Sequence, residues 1–252
     1  MTTPIAVPEG LQECIGANLA AVEQRITAAC ERAGRARGEV TLVVVTKTRS
    51  LEEIVAAYRC GVRHFGENRV EEATGKAPAL RATFEADPAA WHMIGHVQGR
   101  KARDVVALAD VVHSVDSVRL ATRLDRFAGE AGKRLPVLLE ANVSGEESKY
   151  GFSAWDEAGC DALMAAAREI AALPHLDARG LMTMAPIVAD PEEARPVFVR
   201  LRRLCEALRD ATGRAWPDLS MGMTDDYPVA VEEGATMVRI GRAIFHLKKE
   251  RG

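Results

Sequence analysis

The chain has 252 residues, of which 48% are hydrophobic and 27% charged, and its formal net charge is −3. This balance excludes disordered, collagen-like and fibrous chains; a chain of this length buries roughly three quarters of its unfolded surface without disulfide or metal staples. The mild acidity argues against a dedicated nucleic-acid binder, which would carry a strongly basic stripe, and leaves room for a local basic pocket facing a small anion.

From Glu9 to Arg32 the chain is rich in Ala, Leu, Glu, Gln and Arg, and Leu11, Ile15, Leu19, Val22 and Ile26 form one apolar stripe at helical spacing. Gly34 ends that helix. The period then changes: Val40 to Thr46 is a continuous, mostly β-branched run, the pattern of a strand buried on both faces. Leu51 to Cys60 is helical again, and Gly61 stops it. Short apolar runs recur at Val62–Phe65, Trp91–Ile94, Val111–His113, Pro136–Asn142, Leu176–Met182, Asp218–Met221 and Met237–Ile240. Helical stretches follow them at about 69–81, 98–108, 117–131, 155–171, 191–211 and 226–233, with a short one from 242. Strands alternating with helices pair in parallel through right-handed crossovers. Eight such units after one leading helix predict an α/β fold: a single TIM-type (β/α)8 barrel with an extra N-terminal helix, rather than an open doubly wound sheet. Residues 1–252 contain no Pro- or Ser-rich linker and no low-complexity tract, so a single domain is expected.

Cys14, Cys30, Cys60, Cys160 and Cys205 form no CxxC pair and have no zinc spacing, which reads as reduced thiols in a cytosol. The opening MTTPIAVPEGLQEC lacks the basic-then-apolar pattern of a secretory signal. No uncharged apolar run approaches the ~20 residues that span a bilayer. A cytoplasmic protein is expected, with no metal, nucleic-acid or membrane partner.

In a parallel barrel the working residues gather where strands end at the C-terminal face. Lys47 stands there after the first strand, in VVVTKTRS. Desolvation at the end of a buried run favours the neutral amine, the form that attacks an aldehyde. At an ordinary lysine pKa, fewer than about one amine in a thousand is neutral at pH 7. A lysine snorkelling to solvent is the plainer reading of the same position. In the last strand, MVRIGRAIF, Arg239 lies between apolar residues, and Gly241 opens a short helix whose free N–H groups suit a phosphate. The seventh strand run ends in Leu219-Ser220-Met221-Gly222-Met223-Thr224, a hydroxyl and a glycine beside a turn; Asp225 and Asp226 after it read as plain caps of the next helix. His92 and His113 read as hydrogen-bonded barrel histidines, and neither they nor His64 and His96 have metal spacing. Glu146 and Glu147, in SGEESKYG, and the arginines between Arg195 and Arg209 read as solvated.

The segments TKTRS, HFGENRVEE, WHMIGHVQGRK, HSVDS, NVSGEESKYGF, RGLMTMAP, LSMGMTDDY and VRIGRAIF occur in this order from about residue 10 to 246. Together they strongly resemble the YggS/PROSC family of pyridoxal phosphate homeostasis proteins. The resemblance implies a fold like the barrel domain of bacterial alanine racemase and pyridoxal 5'-phosphate held as a lysine aldimine. It places Lys47 as the aldimine lysine, Ser220 and the Gly241–Arg242 turn as the phosphate cradle, Arg239 facing the pyridine nitrogen, and Asn68 in the pocket. The family usually has tyrosine where Arg69 stands, asparagine where Arg100 stands, and RIGTAIFG where this chain has Arg242 and His246.

An arginine beside the ring nitrogen weakens the cofactor as an electron sink, because Arg is not a base at physiological pH. The racemases, by the same resemblance, need a second base, a tyrosine from an additional β domain. Only about a dozen residues follow the eighth strand run here, and the chain's tyrosines are Tyr58, Tyr150 and Tyr227. The expected function is therefore intracellular storage or delivery of pyridoxal phosphate by a protein that is not an enzyme and has no catalytic residue. Apo-enzymes that use the cofactor are its expected partners, and it is expected to be a monomer or weak dimer. The alternatives are a slow racemase or lyase with Lys47 as sole base, and an aldolase-type barrel without a cofactor.

Overall fold

The computed structural model describes residues 5–146 and 149–246. The β-branched run becomes β1 (Thr41–Val45), followed by β2 (His64–Glu67), β3 (Ala90–Met93), β4 (Val111–Val115), β5 (Leu135–Asn142), β6 (Phe152–Ser153), β7 (Leu176–Met182), β8 (Asp218–Ser220) and β9 (Met237–Ile240). All pair in parallel, in the order β4-β3-β2-β1-β9-β8-β7-β5-β6, and an additional β4–β5 pairing closes the sheet. Eight strands form the ring. The two-residue β6, which the sequence pattern does not announce, hangs on the end of β5 through Ala141 and Asn142. The closing pair decides against an open sheet, since it leaves the ring no edge.

The helices are α1 (Leu11–Arg32), α2 (Leu51–Arg59), α3 (Val70–Thr83), α4 (Ala102–Leu108), α5 (Val118–Glu130), α6 (Glu157–Ala171), α7 (Arg195–Thr212), α8 (Tyr227–Glu232) and α9 (Arg242–Phe245). α9 is only four residues long and cannot cover its side of the barrel. α1 packs between α8 and α2 and fills that sector, burying Ile15, Leu19, Val22 and Ile26. Its Asn18 Nδ2 donates to the Ile244 carbonyl at 2.9 Å and ties α9 to the shell.

The barrel's shear places the site. His64 pairs with Ala90 across β2–β3, and His92 lies two residues further along β3; His92 pairs with Val111, and His113 lies two further along β4. Residues two apart share a strand face, so the three imidazoles climb a diagonal inside the barrel from its N-terminal end. The alternate residues face the helices, where Phe65 packs on Trp91 and Phe84 with ring centroids 5.5 and 5.9 Å apart.

Candidate functional site

Thr46, fully buried, follows the last residue of β1, and the turn after it carries Lys47 to an exposed position at the C-terminal mouth. Of the two sequence readings of this position, a desolvated amine and a lysine reaching to solvent, the second is the one that stands here: burial stops one residue earlier. The next residue, Thr48, has φ 61°. A β-branched residue in the left-handed region is strained by about 1–3 kcal/mol and persists only where its surroundings hold it.

A polar cluster supplies that hold. Glu72 Oε2 accepts the Thr48 N–H at 2.8 Å, and Thr46 Oγ1 donates to Glu67 Oε1 at 2.7 Å. Lys76 Nζ donates to the Thr46 carbonyl at 2.9 Å, to Glu67 Oε1 at 3.1 Å and to Glu72 Oε2 at 3.2 Å. Burial pushes the Glu67 carboxyl up against the opposing pull of Thr46 and Lys76; the Thr48 N–H holds Glu72 below the usual range. Sequence reasoning missed this clamp. Its local signal is the i,i+4 pair Glu72–Lys76.

Arg239 sits on the barrel's inner face, 4% exposed. Nη1 donates to Ser220 Oγ at 2.6 Å and Nη2 to the Thr183 carbonyl at 2.8 Å. Burial lowers its pKa to about 10, so it stays cationic at neutral pH. Its backbone N–H donates at 2.9 Å to the carbonyl of Gly222, which has φ 92°; a Cβ on Gly222 would come within 2.6 Å of Ala230 Cβ and 2.9 Å of Tyr227 Cα. Ser220 is fully buried and also bonds His113 Nδ1 at 2.8 Å. Arg239 is the register partner of Val43, and Lys47 follows four positions further along that chain segment.

Gly241 is needed for a reason other than ligand approach alone: a Cβ there would lie 2.9 Å from the Val45 carbonyl oxygen, against β1. Arg242 is exposed, and its guanidinium engages both oxygens of Asp225. Asn68 follows β2, half-buried, and its Oδ1 is buried without a hydrogen-bond partner.

The two aspartates do not cap α8 with their side chains. Asp226 holds the cap position but its Oδ1 accepts the Met223 N–H at 2.6 Å, and Pro228 removes one of the amides a cap would bind. The α7 arginines are more tied than the solvated reading allows: Arg195 bonds Glu192, Glu232 and Glu233, and Arg200 donates to the Val143 and Trp155 carbonyls. Glu146 is exposed, and Glu147 lies outside the described residues.

Glu140, on β5, is a second group that sequence reasoning passed over. It is 3% exposed, and its pKa is raised to about 7 by burial and by the negative charge of Asp116, against the opposing charge of Arg239. Asp116 Oδ2 lies 3.1 Å from His96 Nδ1, and the His96 ring stacks on Tyr150 at 4.2 Å. Among the described residues no group of three His, Cys, Asp or Glu side chains could hold a metal, and no helix is long and apolar enough to cross a membrane.

Comparison with known proteins identifies the family and the fold. Residues 17–249 match the family described as alanine racemase, N-terminal domain. The pyridoxal phosphate homeostasis protein of Aquifex aeolicus is 38% identical over 231 residues, covering 92% of this chain and 97% of its own. That of Pseudomonas aeruginosa is 40% identical over 232 residues, covering 92% and 94%. The structure of PipY from Synechococcus elongatus with PLP bound superposes with a TM-score of 0.77 at 34% identity, covering 92% of this chain and all of PipY. Alanine racemase of Corynebacterium glutamicum shares the fold at 17% identity and a TM-score of 0.68, and this chain covers 61% of it. With an identity of this size over nine tenths of its length, the chain belongs to the family of pyridoxal phosphate homeostasis proteins, built on the alanine racemase N-terminal barrel.

Proposed function

We propose that this chain binds pyridoxal 5'-phosphate at the C-terminal mouth of the barrel and serves in the cytoplasm to store or deliver it. The observation that carries the proposal is the β1–β9 seam, with a buried cationic Arg239 on β9 bonded to Ser220, and an exposed Lys47 amine on the turn that follows β1. The residues present suit the cofactor. Asn68 Oδ1 is a buried acceptor lacking a donor, Ser220 has a hydroxyl proton to give, and Arg239 is held by two bonds that fix its plane. When bound, pyridoxal phosphate supplies an aldehyde for covalent capture and a ring that withdraws electrons.

Each residue has its part. Lys47 provides the amine for covalent attachment. Arg239 donates to the ring nitrogen and, being permanently charged, keeps a proton off it. Ser220 and the backbone of Gly241 and Arg242 receive the phosphate, and Asn68 orients the ring. Residues 1–252 act as one binding domain, a monomer or weak dimer, that hands its cargo to apo-enzymes using the cofactor.

Because a hydrogen bond to a charged group is worth about 1.5–3 kcal/mol, pyridoxal phosphate is expected to bind well over tenfold more tightly than pyridoxal. Titration by absorbance checks this, and equal affinities would remove the phosphate cradle.

The chain's relatives are named as homeostasis proteins rather than as enzymes. We assign no useful turnover to this one, since Arg239 opposes ring-nitrogen protonation. Purified protein is expected to form D-alanine from L-alanine no faster than free cofactor, and Lys47→Ala is expected to match wild type. A Lys47-dependent rate of about 1 s⁻¹ or more, ordinary for an enzyme, would establish the racemase or lyase alternative instead.

A further inference from the structure

We propose that His64, His92, His113 and Ser220 form a proton relay through the barrel, linking its N-terminal face to the Arg239 end of the binding site. The proposal rests on the reading of that site for its ligand, but the relay itself stands on an unbroken chain of bonds. His64 Nδ1 lies 3.0 Å from His92 Nε2, His92 Nδ1 lies 2.8 Å from His113 Nε2, and His113 Nδ1 lies 2.8 Å from Ser220 Oγ, which accepts from Arg239 at 2.6 Å. His92 is 2% exposed, and His113 and Ser220 are fully buried. At the other end, His64 is half-buried and lines a cavity of about 340 Å3 with Glu23, Arg37, Thr41, Leu42 and Gly61, at the start of β1 and β2. Burial drives the histidine pKa values down, that of His92 to about 3.

Neutral imidazoles make the chain directional. Each carries one N–H and one lone pair, and the two inner rings use both nitrogens within the chain. All three rings must therefore point the same way, in one of two senses. Arg239 can only donate, so Ser220 Oγ accepts from it in both. In the first sense Ser220 gives its proton to His113 Nδ1, each ring carries its proton on Nε2, and that of His64 faces the cavity. In the second each ring carries its proton on Nδ1, His113 donates to Ser220, and the Ser220 hydroxyl is free for a ligand oxygen.

Conversion is a concerted shift of four protons. The Ser220 proton passes to His113 Nδ1, the His113 Nε2 proton to His92 Nδ1, and the His92 Nε2 proton to His64 Nδ1. The His64 Nε2 proton leaves to water in the cavity. A phosphate ester arriving as the monoanion, whose remaining proton has a pKa near 6, reprotonates the Ser220 oxygen and is held as the dianion. One proton enters at the site, one leaves at the opposite face, and the interior gains no charge.

The test uses 15N-histidine-labelled protein and NMR, in two arms. In the ligand-free protein the ring N–H protons of His92 and His113 are expected to exchange with water although both rings are buried. His64→Phe closes the exit and slows that exchange by roughly fivefold or more, as expected from losing a bond worth at least about 1 kcal/mol. In the second arm, saturating pyridoxal phosphate switches all three rings together from Nε2–H to Nδ1–H, pyridoxal does not, and Ser220→Ala abolishes the switch. Equal exchange in wild type and His64→Phe, rings of opposite sense, or unchanged tautomers with the cofactor bound by absorbance would each overturn the relay. An absent absorbance change would instead defeat the binding site, and the exchange arm would still decide the relay.

Discussion

Borohydride reduction of the protein saturated with pyridoxal phosphate is expected to add the reduced cofactor mass to a single peptide, the one containing Lys47. Lys47→Ala is expected to lose the adduct completely while retaining weaker, reversible affinity through Arg239 and Ser220. The choice among lysines follows from what each amine already does. Lys76 is closest to the same strand end, but its Nζ serves the Thr46 carbonyl, Glu67 and Glu72, and its side chain is only 15% exposed. Lys101 is paired with Glu71 and Asp104, and Lys149 donates to the Ala185 carbonyl beside Glu146. Lys47 has no hydrogen bond or ion pair among the described residues and stands on a turn whose strain the clamp sustains. Mass spectrometry locates the adduct, and finding it solely on Lys76, Lys101 or Lys149 would reassign the site. Glu72→Gln weakens the acceptor of the Thr48 N–H and should lower the yield of the Lys47 adduct without moving it elsewhere.

The eight strand–helix units and the extra leading helix were legible because each rests on local periodicity. The β-branched run at Val40–Thr46 and the stripe from Leu11 to Ile26 carry their own signals. Ser220, Arg239 and Gly241 could be placed at strand ends for the same reason, and the family resemblance supplied their roles. What stayed hidden depends on neighbours far apart in the chain. His113 and Ser220 are 107 residues apart in sequence and meet only because β4 and β8 face each other across a closed barrel. The Glu67–Lys76–Glu72 clamp joins two strand ends to a helix, so only its i,i+4 part has a local trace. Lys47 was placed at the right strand end with its exposure left between two readings, since periodicity does not say on which residue burial stops. The aspartates after Met223 are a different case: Asp-Asp before a helix reads as capping, although Pro228, visible in the sequence, takes one amide away, and the turn directs Asp226 back to the Met223 N–H instead.

Glu140→Gln is expected to stabilise the protein at pH 8 and to leave its stability nearly unchanged near pH 4.5. The folded-state pKa of Glu140, about 7, exceeds the ordinary value of 4.5. The folded protein therefore binds this proton more tightly than the unfolded chain does. Its contribution is fully present below about pH 4.5 and is lost progressively as pH rises through 7. Once lost, the burden of the buried carboxylate is about 3 kcal/mol, the difference of the two pKa values at 1.36 kcal/mol per unit. For a chain of this size about 1 kcal/mol moves Tm by roughly 2–4 °C, so the variant should melt about 6–12 °C above wild type at pH 8. Thermal unfolding of both proteins between pH 4.5 and 8.5 checks this, and parallel curves would mean that Glu140 titrates as an ordinary carboxyl. Asp116→Asn should recover part of the same gain, because Asp116 is the like charge that raises Glu140 beyond burial alone. The carboxylate answers the buried charge of Arg239, and an anionic ligand that takes up that charge leaves Glu140 less compensated, so the gain at pH 8 should grow in protein loaded with an anionic ligand and be smaller in the ligand-free form. Comparing the Glu140→Gln gain with and without pyridoxal phosphate therefore tests whether Glu140 and the ligand share the field of one arginine. An identical gain in both would separate Glu140 from the binding site.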